Sequence, residues 1–416
     1  MIPPCLMKYK LKLIPWTAAW LCWAAALLPQ NLSADPLDHW HWRAPEPTTN
    51  ALLGVAYGSG KFVAVGLAGT IVTSADGTAW TLGLGVSATS AYLRSVTFGG
   101  GMFLAVGEGG TILSSSNGVD WTARHSGTTN DLYAAIFGQD LFLTVGANGT
   151  ITTSIDGVAW DARQPGVLAG STLTSIAYGQ GTLLGATTGF LPGVFGSNDG
   201  GTNWWVDTWL SGTAQVPPDL LGLSGVAYGN GRFVAVGAGN SFDFPTGVAL
   251  TTTNTFDWDR VNTGAGDVDT IAGLWAVAFG RDTFVTVGPV CGFWCSEPPL
   301  ISSRNGKDWS YHRPRVERSL FAVAYGRGTF VAVGESGTIL QSDKIGPRLE
   351  LLSTAGPDSY LFKLIGDAGE TYRIETSIDL ANWTALTNFI SATGTNEFMD
   401  LAAQNFSRRF YRAVTL

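Results

Sequence analysis

Acidic side chains are the residues of this chain whose chemistry could act on a substrate. Two carboxyl groups flanking a glycosidic bond serve as acid and base in glycoside hydrolases. Seven carboxylates are expected on one face of the fold: Asp207, Asp219, Asp243, Asp267, Asp269, Glu297 and Glu335. The spacing singles out no pair among them, so glycan hydrolysis stays an alternative and we predict no catalytic residue.

Motifs of other catalytic classes are missing from the sequence. It contains no Gly-x-Ser-x-Gly, no His-Glu-x-x-His and no phosphate-binding loop. Its four histidines, at positions 39, 41, 125 and 312, have no metal-ligand spacing. We therefore predict no metal and no cofactor.

Aromatic side chains and one arginine form a second group of candidates, suited to binding. Aromatic faces can stack on sugar rings or cover a peptide, and long loops on a rigid scaffold commonly carry recognition. The predicted ligand-binding residues are Arg94, Tyr133, Phe190, Phe242, Phe244, Trp275, Phe293, Trp294 and Phe321. Two alternatives stay open: the loop aromatics pack against their own loops, and Arg94 is a rim residue with ordinary hydrogen bonds.

The elements that position these residues are repeated seven times between Leu52 and Ser342. Each copy has a strand ending in an aromatic and a glycine, a Phe-Val-Ala-Val-Gly-like strand, a Gly-Thr-Ile-like strand and, in six copies, an Asp-Gly-x-x-Trp-like ending. A repeat of about this length with four short strands is typical of a β-propeller blade. The 54 glycines and the 13% of charged residues fit such a turn-rich, all-β chain.

Three later copies enlarge the connection between their second and third strands. The short Glu108-Gly109 connection of the second copy becomes the stretches 188–192, 239–245 and 289–299. Connections of this kind share one face of a propeller, so the enlargements should form one binding surface over adjacent blades. Cys291 and Cys295 lie in the last stretch, and a local disulfide is expected, with metal binding as the alternative.

The seventh copy lacks the closing tryptophan, and a matching segment precedes the first copy. Trp42-Arg43-Ala44-Pro45 resembles Trp121-Thr122-Ala123-Arg124 of the second copy, and each is followed by Thr-Thr-Asn. We predict that Trp42 begins the outer strand of the last blade, so that residues 35–346 form a seven-bladed propeller closed by its N-terminal strand.

The segment Ser197–Trp204 matches the pattern Ser-x-Asp-x-Gly-x-x-Trp, and the other copies are one residue shorter. These repeats resemble the Asp-box (BNR) propellers, which include sialidases, other glycan hydrolases and the photosystem II assembly-factor-like propellers. The box itself is expected to be a hairpin staple, because Asn117, Asn254 and Asn305 replace its acid in three copies. A sialidase would need three arginines for the substrate carboxylate, whereas Arg94 is the one arginine at its position in the seven copies.

Residues 347–416 follow a different pattern of short strands, which predicts a separate β-sandwich. The run Gly369–Trp383 and the terminal Arg409-Phe410-Tyr411-Arg412 resemble fibronectin type III-like modules at the ends of secreted bacterial proteins. This resemblance implies an accessory or attachment role.

The N-terminus predicts export. Three lysines precede an apolar run over residues 13–28, and residues 1–34 read as a secretory signal peptide, with a retained anchor as the alternative. Cleavage would remove three positive charges and no acid, taking the net charge from −8 to −11, which disfavours nucleic-acid binding.

Together these patterns predict a secreted or periplasmic, non-enzymatic binding propeller without stable membrane insertion after cleavage. The expected partner is a glycan or a secreted or envelope protein. Glycan hydrolysis and a role as an envelope assembly factor are the alternatives.

Overall fold

The structure is a computed structural model that describes residues 35–83, 90–189, 192–207, 220–241, 244–261, 273–290, 297–354, 360–406 and 408–416. Phe190, Phe242, Phe293, Trp294 and the two cysteines of the predicted disulfide lie outside these ranges. The predicted signal peptide also lies outside them.

Antiparallel four-stranded sheets follow one another along the chain, each with its strands in sequence order. The first comprises β2 (Leu52–Gly58), β3 (Lys61–Gly66), β4 (Ile71–Ser74) and β5 (Thr81–Leu82). The second comprises β6 (Leu93–Gly99), β7 (Met102–Gly107), β8 (Ile112–Ser115) and β9 (Thr122–Arg124). The third comprises β10 (Leu132–Gly138), β11 (Leu141–Gly146), β12 (Ile151–Ser154) and β13 (Asp161–Arg163).

The fourth and fifth repeats are joined into one eight-stranded sheet by the pairing of Thr188 with Gly222. The fourth repeat supplies β14 (Thr172–Gly179), β15 (Thr182–Thr188), β16 (Gly193–Ser197) and β17 (Trp205–Asp207). The fifth supplies β18 (Leu220–Gly229), β19 (Arg232–Ser241), β20 (Phe244–Thr252) and β21 (Asp259–Val261).

The sixth repeat again forms a four-stranded sheet, of β22 (Ala276–Gly280), β23 (Thr283–Val287), β24 (Leu300–Ser303) and β25 (Ser310–Tyr311). The seventh contributes β26 (Leu320–Gly326), β27 (Thr329–Gly334) and β28 (Ile339–Ser342). Its fourth strand is β1 (Trp40–Trp42), which pairs antiparallel with β28 through Trp40–Ser342 and Trp42–Leu340. The N-terminal segment therefore pairs with the strand that the sequence predicted, but the predicted start at Trp42 was wrong by two residues. Trp40 begins β1 and Trp42 ends it, and Arg43 bonds to Ile339 as Arg124 pairs with Ile112 in the second repeat.

Two-residue turns connect the first and second strands of the repeats. Ser59 and Gly60 have φ angles of 45° and 76°, as a hairpin turn matched to strand twist requires. Arg281 and Asp282 occupy the same place in the sixth repeat with φ angles of 38° and 64°, although neither is glycine. Their side chains contact the C-terminal segment, as described below.

Hydrophobic clusters lie between successive sheets. Val63 of the first sheet and Phe103 of the second belong to one cluster, and Leu104 of the second and Phe142 of the third belong to another. Later neighbours pack in the same way. Phe62 of the first sheet shares a cluster with Val331 of the last, so the series of packed sheets is closed.

Six strands after residue 347 form two three-stranded sheets around a small cluster of Leu364, Tyr372 and Ile374. One sheet has the order β29 (Arg348–Thr354), β30 (Tyr360–Ile365), β33 (Thr395–Asp400). The other has the order β32 (Thr384–Ile390), β31 (Thr371–Ser377), β34 (Phe410–Thr415).

Helical structure in the described ranges consists of single 3₁₀ turns: Pro36–Asp38, Leu67–Gly69, Glu108–Gly110, Ala147–Gly149, Gly166–Leu168, Glu335–Gly337 and Ala403–Asn405. The prediction of an all-β chain is confirmed. Within the part of the chain that the structure describes, no helix is long and apolar enough to cross a membrane.

One of the three predicted loop enlargements was wrong in form, and a second begins one residue later than predicted. In the fifth repeat, β19 and β20 continue their ladder as far as the pair Ser241–Phe244, so most of 239–245 is strand. In the fourth, Thr188 ends β15 and bonds to the neighbouring repeat. Continued pairing satisfies backbone N–H and C=O groups that a loop would leave to water.

Candidate functional site

The first strand of each repeat is called the inner strand below. In six of the repeats a β-bulge lies near its start. In the first, the register with β3 steps from Leu52 directly to Gly54, which leaves Leu53 as the extra residue. The same step isolates one residue in each of five other repeats: Arg94, Tyr133, Thr174, Ser224 and Phe321. Trp275, which directly precedes β22, holds the corresponding sequence position in the sixth.

We call these seven positions the bulge ring: Leu53, Arg94, Tyr133, Thr174, Ser224, Trp275 and Phe321. A bulge re-aims a side chain out of the regular alternation of a strand. The residue before each ring position is a leucine that is 0% exposed in all seven repeats, whereas every ring residue is at least partly exposed. The local backbone thus buries the leucine and presents its neighbour.

Arg94 lies close to three other residues at this end of the sheets. Its Nη2 donates to Glu108 Oε1 at 2.9 Å, and Asp131 Oδ2 lies 3.8 Å away. Its guanidinium carbon lies 5.1 Å from the centroid of the aromatic ring of Tyr133, which holds the bulge-ring position in the next repeat. The structure therefore brings two predicted site residues together and engages Arg94 in an ion pair within the chain.

Trp275 and Phe321 also meet. Their ring centroids lie 5.3 Å apart with an interplanar angle of 16°, a stacked arrangement of two neighbouring repeats. Trp275 is 36% exposed, so this stack offers aromatic surface to a ligand. Thr174 makes a different contact between repeats, because its Oγ1 donates to the carbonyl oxygen of Leu223 at 2.9 Å.

The structure says less about the predicted loop aromatics and about the acids considered for glycan hydrolysis. Phe244 is the first residue of β20 and is described by its backbone alone, and the other loop aromatics lie outside the described residues. Asp219, Asp243, Asp267 and Asp269 lie outside them as well. Asp207 ends β17, and partial burial raises the pKa of its carboxyl group.

The Asp-box turns are hydrogen-bonded hairpin staples. Asp76 Oδ1 accepts from the backbone N–H groups of Thr78 and Ala79 at 2.8 and 3.3 Å, and Trp80 Nε1 donates to Gly77 O at 2.9 Å. Hydrogen bonds from the side chain and backbone of Thr78 lower the pKa of Asp76 to about 2. A carboxyl group held ionised by its own turn is a poor general acid.

Asparagine boxes make the same turn and add a hydrogen bond from the amide nitrogen. Asn117 Oδ1 accepts from the N–H groups of Val119 and Asp120, and Asn117 Nδ2 donates to Asp120 Oδ2 at 2.8 Å. Two other repeats contain the same pair, Asn254 with Asp257 and Asn305 with Asp308. These contacts support a structural role for the box.

A further box, not identified from the sequence, lies at residues 377–383 in the C-terminal sheets. Asp379 Oδ1 accepts from the N–H groups of Ala381 and Asn382, and Trp383 Nε1 donates to Leu380 O at 3.1 Å. Leu380 has a φ angle of 63° where a glycine stands in most repeats. The spacing Ser-x-Asp-x-x-x-Trp could have revealed it.

Ser302, His312 and Asp38 form a hydrogen-bonded series in the order of a nucleophile, base and acid. His312 Nε2 lies 2.7 Å from Ser302 Oγ, and its Nδ1 lies 2.9 Å from Asp38 Oδ1. Ser302 is only 7% exposed. Equivalent cross-strand bonds, Arg124 to Ser114 and Arg43 to Gln341, occur in other repeats, so the series is a variant of a structural bond that anchors the N-terminal segment.

The C-terminal sheets are attached to the sixth and seventh repeats by buried ionic contacts. Arg281, 5% exposed, pairs with Asp367 and donates from Nη1 to Ile345 O at 2.7 Å. Tyr325 Oη donates to Asp367 Oδ1 at 2.6 Å, and burial followed by the charge of Asp367 raises the pKa of Tyr325. Asp282 pairs with Arg348 beside them.

Closed packing of four-stranded antiparallel sheets identifies the chain as a β-propeller protein, and solved structures agree. A structure of YCF48 bound to D1 peptide has a TM-score of 0.55 at 15% identity and covers 73% of this chain and 96% of that one. YCF48 from Cyanidioschyzon merolae has a TM-score of 0.54 at 16% identity, covering 73% and 98%.

A catalytically inactive virginiamycin B lyase from Staphylococcus aureus with quinupristin has a TM-score of 0.59 at 11% identity, covering 74% of this chain and 99% of that one. These likenesses establish the fold alone. No family model matches the sequence, and no curated protein matches it.

Proposed function

We propose that this chain is a non-enzymatic binding protein that recognises a peptide or protein segment on its bulge ring. One observation carries the proposal: seven repeats of similar backbone present seven different residue types at the ring position, next to an invariant buried leucine. A purely structural position would be expected to repeat its residue as the leucine does.

The chemistry of the ring suits a peptide. It combines a stacked aromatic pair, two hydroxyls, an aliphatic residue and an ion pair, which together can cover apolar side chains and bond a polar backbone. The solved structure of YCF48 bound to D1 peptide supports the idea that a propeller can hold a peptide. Phe190, Phe242, Phe244, Phe293 and Trp294 belong to the same proposed surface.

Further parts of the proposal concern architecture and location. Seven repeats, with β1 completing the last sheet, support a seven-bladed propeller. The two C-terminal sheets around a shared cluster support a small accessory β-sandwich. The lysines and apolar run of residues 1–34 support secretion to the periplasm or cell surface.

A selection experiment tests the function. A random library of displayed 12-residue peptides is selected on the immobilised protein, and the affinity of an enriched peptide is measured by fluorescence polarisation. Tyr133→Ala with Trp275→Ala should weaken binding by about tenfold or more, because aromatic anchors commonly dominate binding energy.

The matched control is Ile155→Ala, which removes an exposed side chain in an Asp-box turn at the opposite end of the sheets. It should leave the affinity unchanged. Loss of binding in the control but not in the ring variant would contradict the proposed surface. Binding to a glycan array, with no peptide enriched in the selection, would contradict the proposal that the ligand is a peptide.

A further inference from the structure

We propose that Glu335, together with Phe321 and Trp275, forms a subsite for a positively charged side chain of the bound segment. The inference rests on the proposed function and specifies its ligand: a segment that carries an arginine or lysine. The second repeat shows how a carboxylate at the position of Glu335 holds a guanidinium.

In the second repeat, a carboxylate holds a guanidinium at the rim. Glu108 opens the turn between β7 and β8, and its Oε2 accepts from the N–H of Tyr92 at 3.4 Å. The other oxygen, Oε1, accepts from Arg94 Nη2 at 2.9 Å. The guanidinium also lies over the ring of Tyr133. A cation is thus held between a carboxylate and an aromatic face.

The seventh repeat reproduces the carboxylate in the same geometry. Glu335 opens the turn between β27 and β28, and its Oε2 accepts from the N–H of Ser319, also at 3.4 Å. The backbone matches too, because Ser336 has φ and ψ of 54° and 35° where Gly109 has 62° and 27°. Oε1 of Glu335 is therefore directed toward the ring position, as Oε1 of Glu108 is.

The residue at that bulge-ring position carries no positive charge in the seventh repeat. Phe321 stands where Arg94 stands in the second repeat, so it cannot neutralise the carboxylate. Glu335 is exposed, and within the described ranges it makes no ion pair. The preceding arginine, Arg318, donates to Glu46 at 2.5 Å and lies over the ring of Trp42.

Aromatic surface replaces the missing arginine. The aromatic surface lies on the other side, because Leu53 follows Phe321 where Tyr133 follows Arg94. It comes from Phe321 itself and from Trp275 of the preceding repeat, on which Phe321 stacks. An arginine or lysine over an aromatic face gains a cation–π attraction, and a nearby carboxylate adds a charged hydrogen bond. One carboxylate with two rings suits an organic cation better than a metal ion, which needs three or more ligands.

Charge favours the same partner. The first and third repeats have Leu67 and Ala147 at the position that Glu108 and Glu335 hold, so the acid is not a general feature of this turn. The net charge of −8 makes the whole chain attractive to a basic segment at low ionic strength. The proposed occupant is therefore a partner segment with a basic residue at one fixed place.

The test uses the peptide selection described above with three variants. Glu335→Gln keeps an oxygen to accept from Ser319 but removes the charge. Phe321→Arg copies the second repeat and should fill the subsite from within. Arg94→Phe should open a second subsite at Glu108. Thermal melts of each full-length variant check that the fold is retained.

Enriched peptides on the unaltered protein should contain arginine or lysine above its frequency in the library. Glu335→Gln and Phe321→Arg should each weaken such a peptide by about tenfold, the loss expected for one charged contact. Replacing the peptide's arginine by neutral citrulline should produce a similar loss on the unaltered protein and little further loss on Glu335→Gln.

Enrichment without a basic residue, or an unchanged affinity in both Glu335→Gln and Phe321→Arg, would overturn the subsite while leaving the peptide-binding function standing. If Glu335→Gln weakens binding but Phe321→Arg does not, the contact with the Glu335 carboxylate stands and the comparison with Arg94 and Glu108 of the second repeat is wrong. If the unaltered protein enriches no peptide at all, both the function and the subsite fail.

Discussion

Gly326, at the end of the last inner strand, packs directly against the ring of Tyr57 in the first. A Cβ atom on Gly326 would lie 2.2 Å from Cγ of Tyr57. The same contact links each inner strand to the next: Gly58 with Phe98, Gly99 with Phe137, Gly138 with Tyr178, Gly179 with Tyr228, Gly229 with Phe279 and Gly280 with Tyr325. The aromatic-glycine pair of every repeat is therefore a contact between neighbouring sheets.

Replacing Gly326 by alanine should destabilise the protein. The added methyl group has no space beside Tyr57, and overpacking of this kind typically costs about 1–3 kcal/mol. Gly166→Ala is the control, since a Cβ there meets nothing within 4 Å. Urea unfolding of the two variants measures the difference, and equal midpoints would contradict the tight contact.

Removing the N-terminal strand should lower the melting temperature strongly. A chain that starts at Ala51 lacks the pairing of β1 with β28 and the buried Leu37, which is 3% exposed. We expect a drop of at least ~10 °C relative to a chain that starts at Asp35, because several kcal/mol of packing and pairing are lost. Coincident melting curves would show that β1 contributes little to stability.

Asp76 should make stability depend on pH in the acid range. Its pKa is lowered from 3.8 to about 2 in the folded protein, so its contribution is complete above pH ~4 and is lost as the pH falls toward 2. Asp76→Asn should flatten the decline in urea midpoint over that range. A decline as steep in the variant as in the unaltered protein would contradict this assignment.

The asparagine boxes supply a rescue for that variant. Asn117 donates to Asp120, three residues later, whereas Asp76 is followed at that spacing by Ala79. Adding Ala79→Asp to Asp76→Asn should therefore recover stability at neutral pH, where the new carboxylate is ionised. Failure of the double variant to exceed the single one would weaken the equivalence of the two boxes.

The buried pair between Arg281 and Asp367 should be essential for attaching the C-terminal sheets. Asp367→Ala leaves Arg281 buried without its carboxylate, which typically costs about 3–5 kcal/mol. Asp161→Ala breaks the exposed pair with Arg163 and should cost less than ~1 kcal/mol. Unfolding measurements compare the two, and similar losses would contradict the difference in burial.

The regular parts of the fold were predictable because the repeat shows them several times. The strands, their order and the partner of Trp40–Trp42 follow from comparing copies, and the box bonds follow from the substitution of Asn117 for an acid. A single short apolar run does not distinguish strand from helix, whereas the same run in six or seven copies of one repeat does.

Other features could not be predicted because they depend on relations between strands. The bulge beside Arg94 is a step in register between β6 and β7, and neither strand alone indicates it. The contact of Arg281 with Asp367 joins residues 86 positions apart. The box at Asp379 differs from these because it is local and its spacing was readable. It was missed because Leu380, with a positive φ, replaces the expected glycine.

The register step at six of the inner strands separates the requirements of folding from those of ligand specificity. Because the extra residue belongs to neither the ladder nor the core, its identity can change without disturbing either. Such a scaffold could diversify one position at a time, each exchange altering a single contact with the ligand. Variation at the bulge-ring positions would let related chains acquire new partners while keeping the same framework.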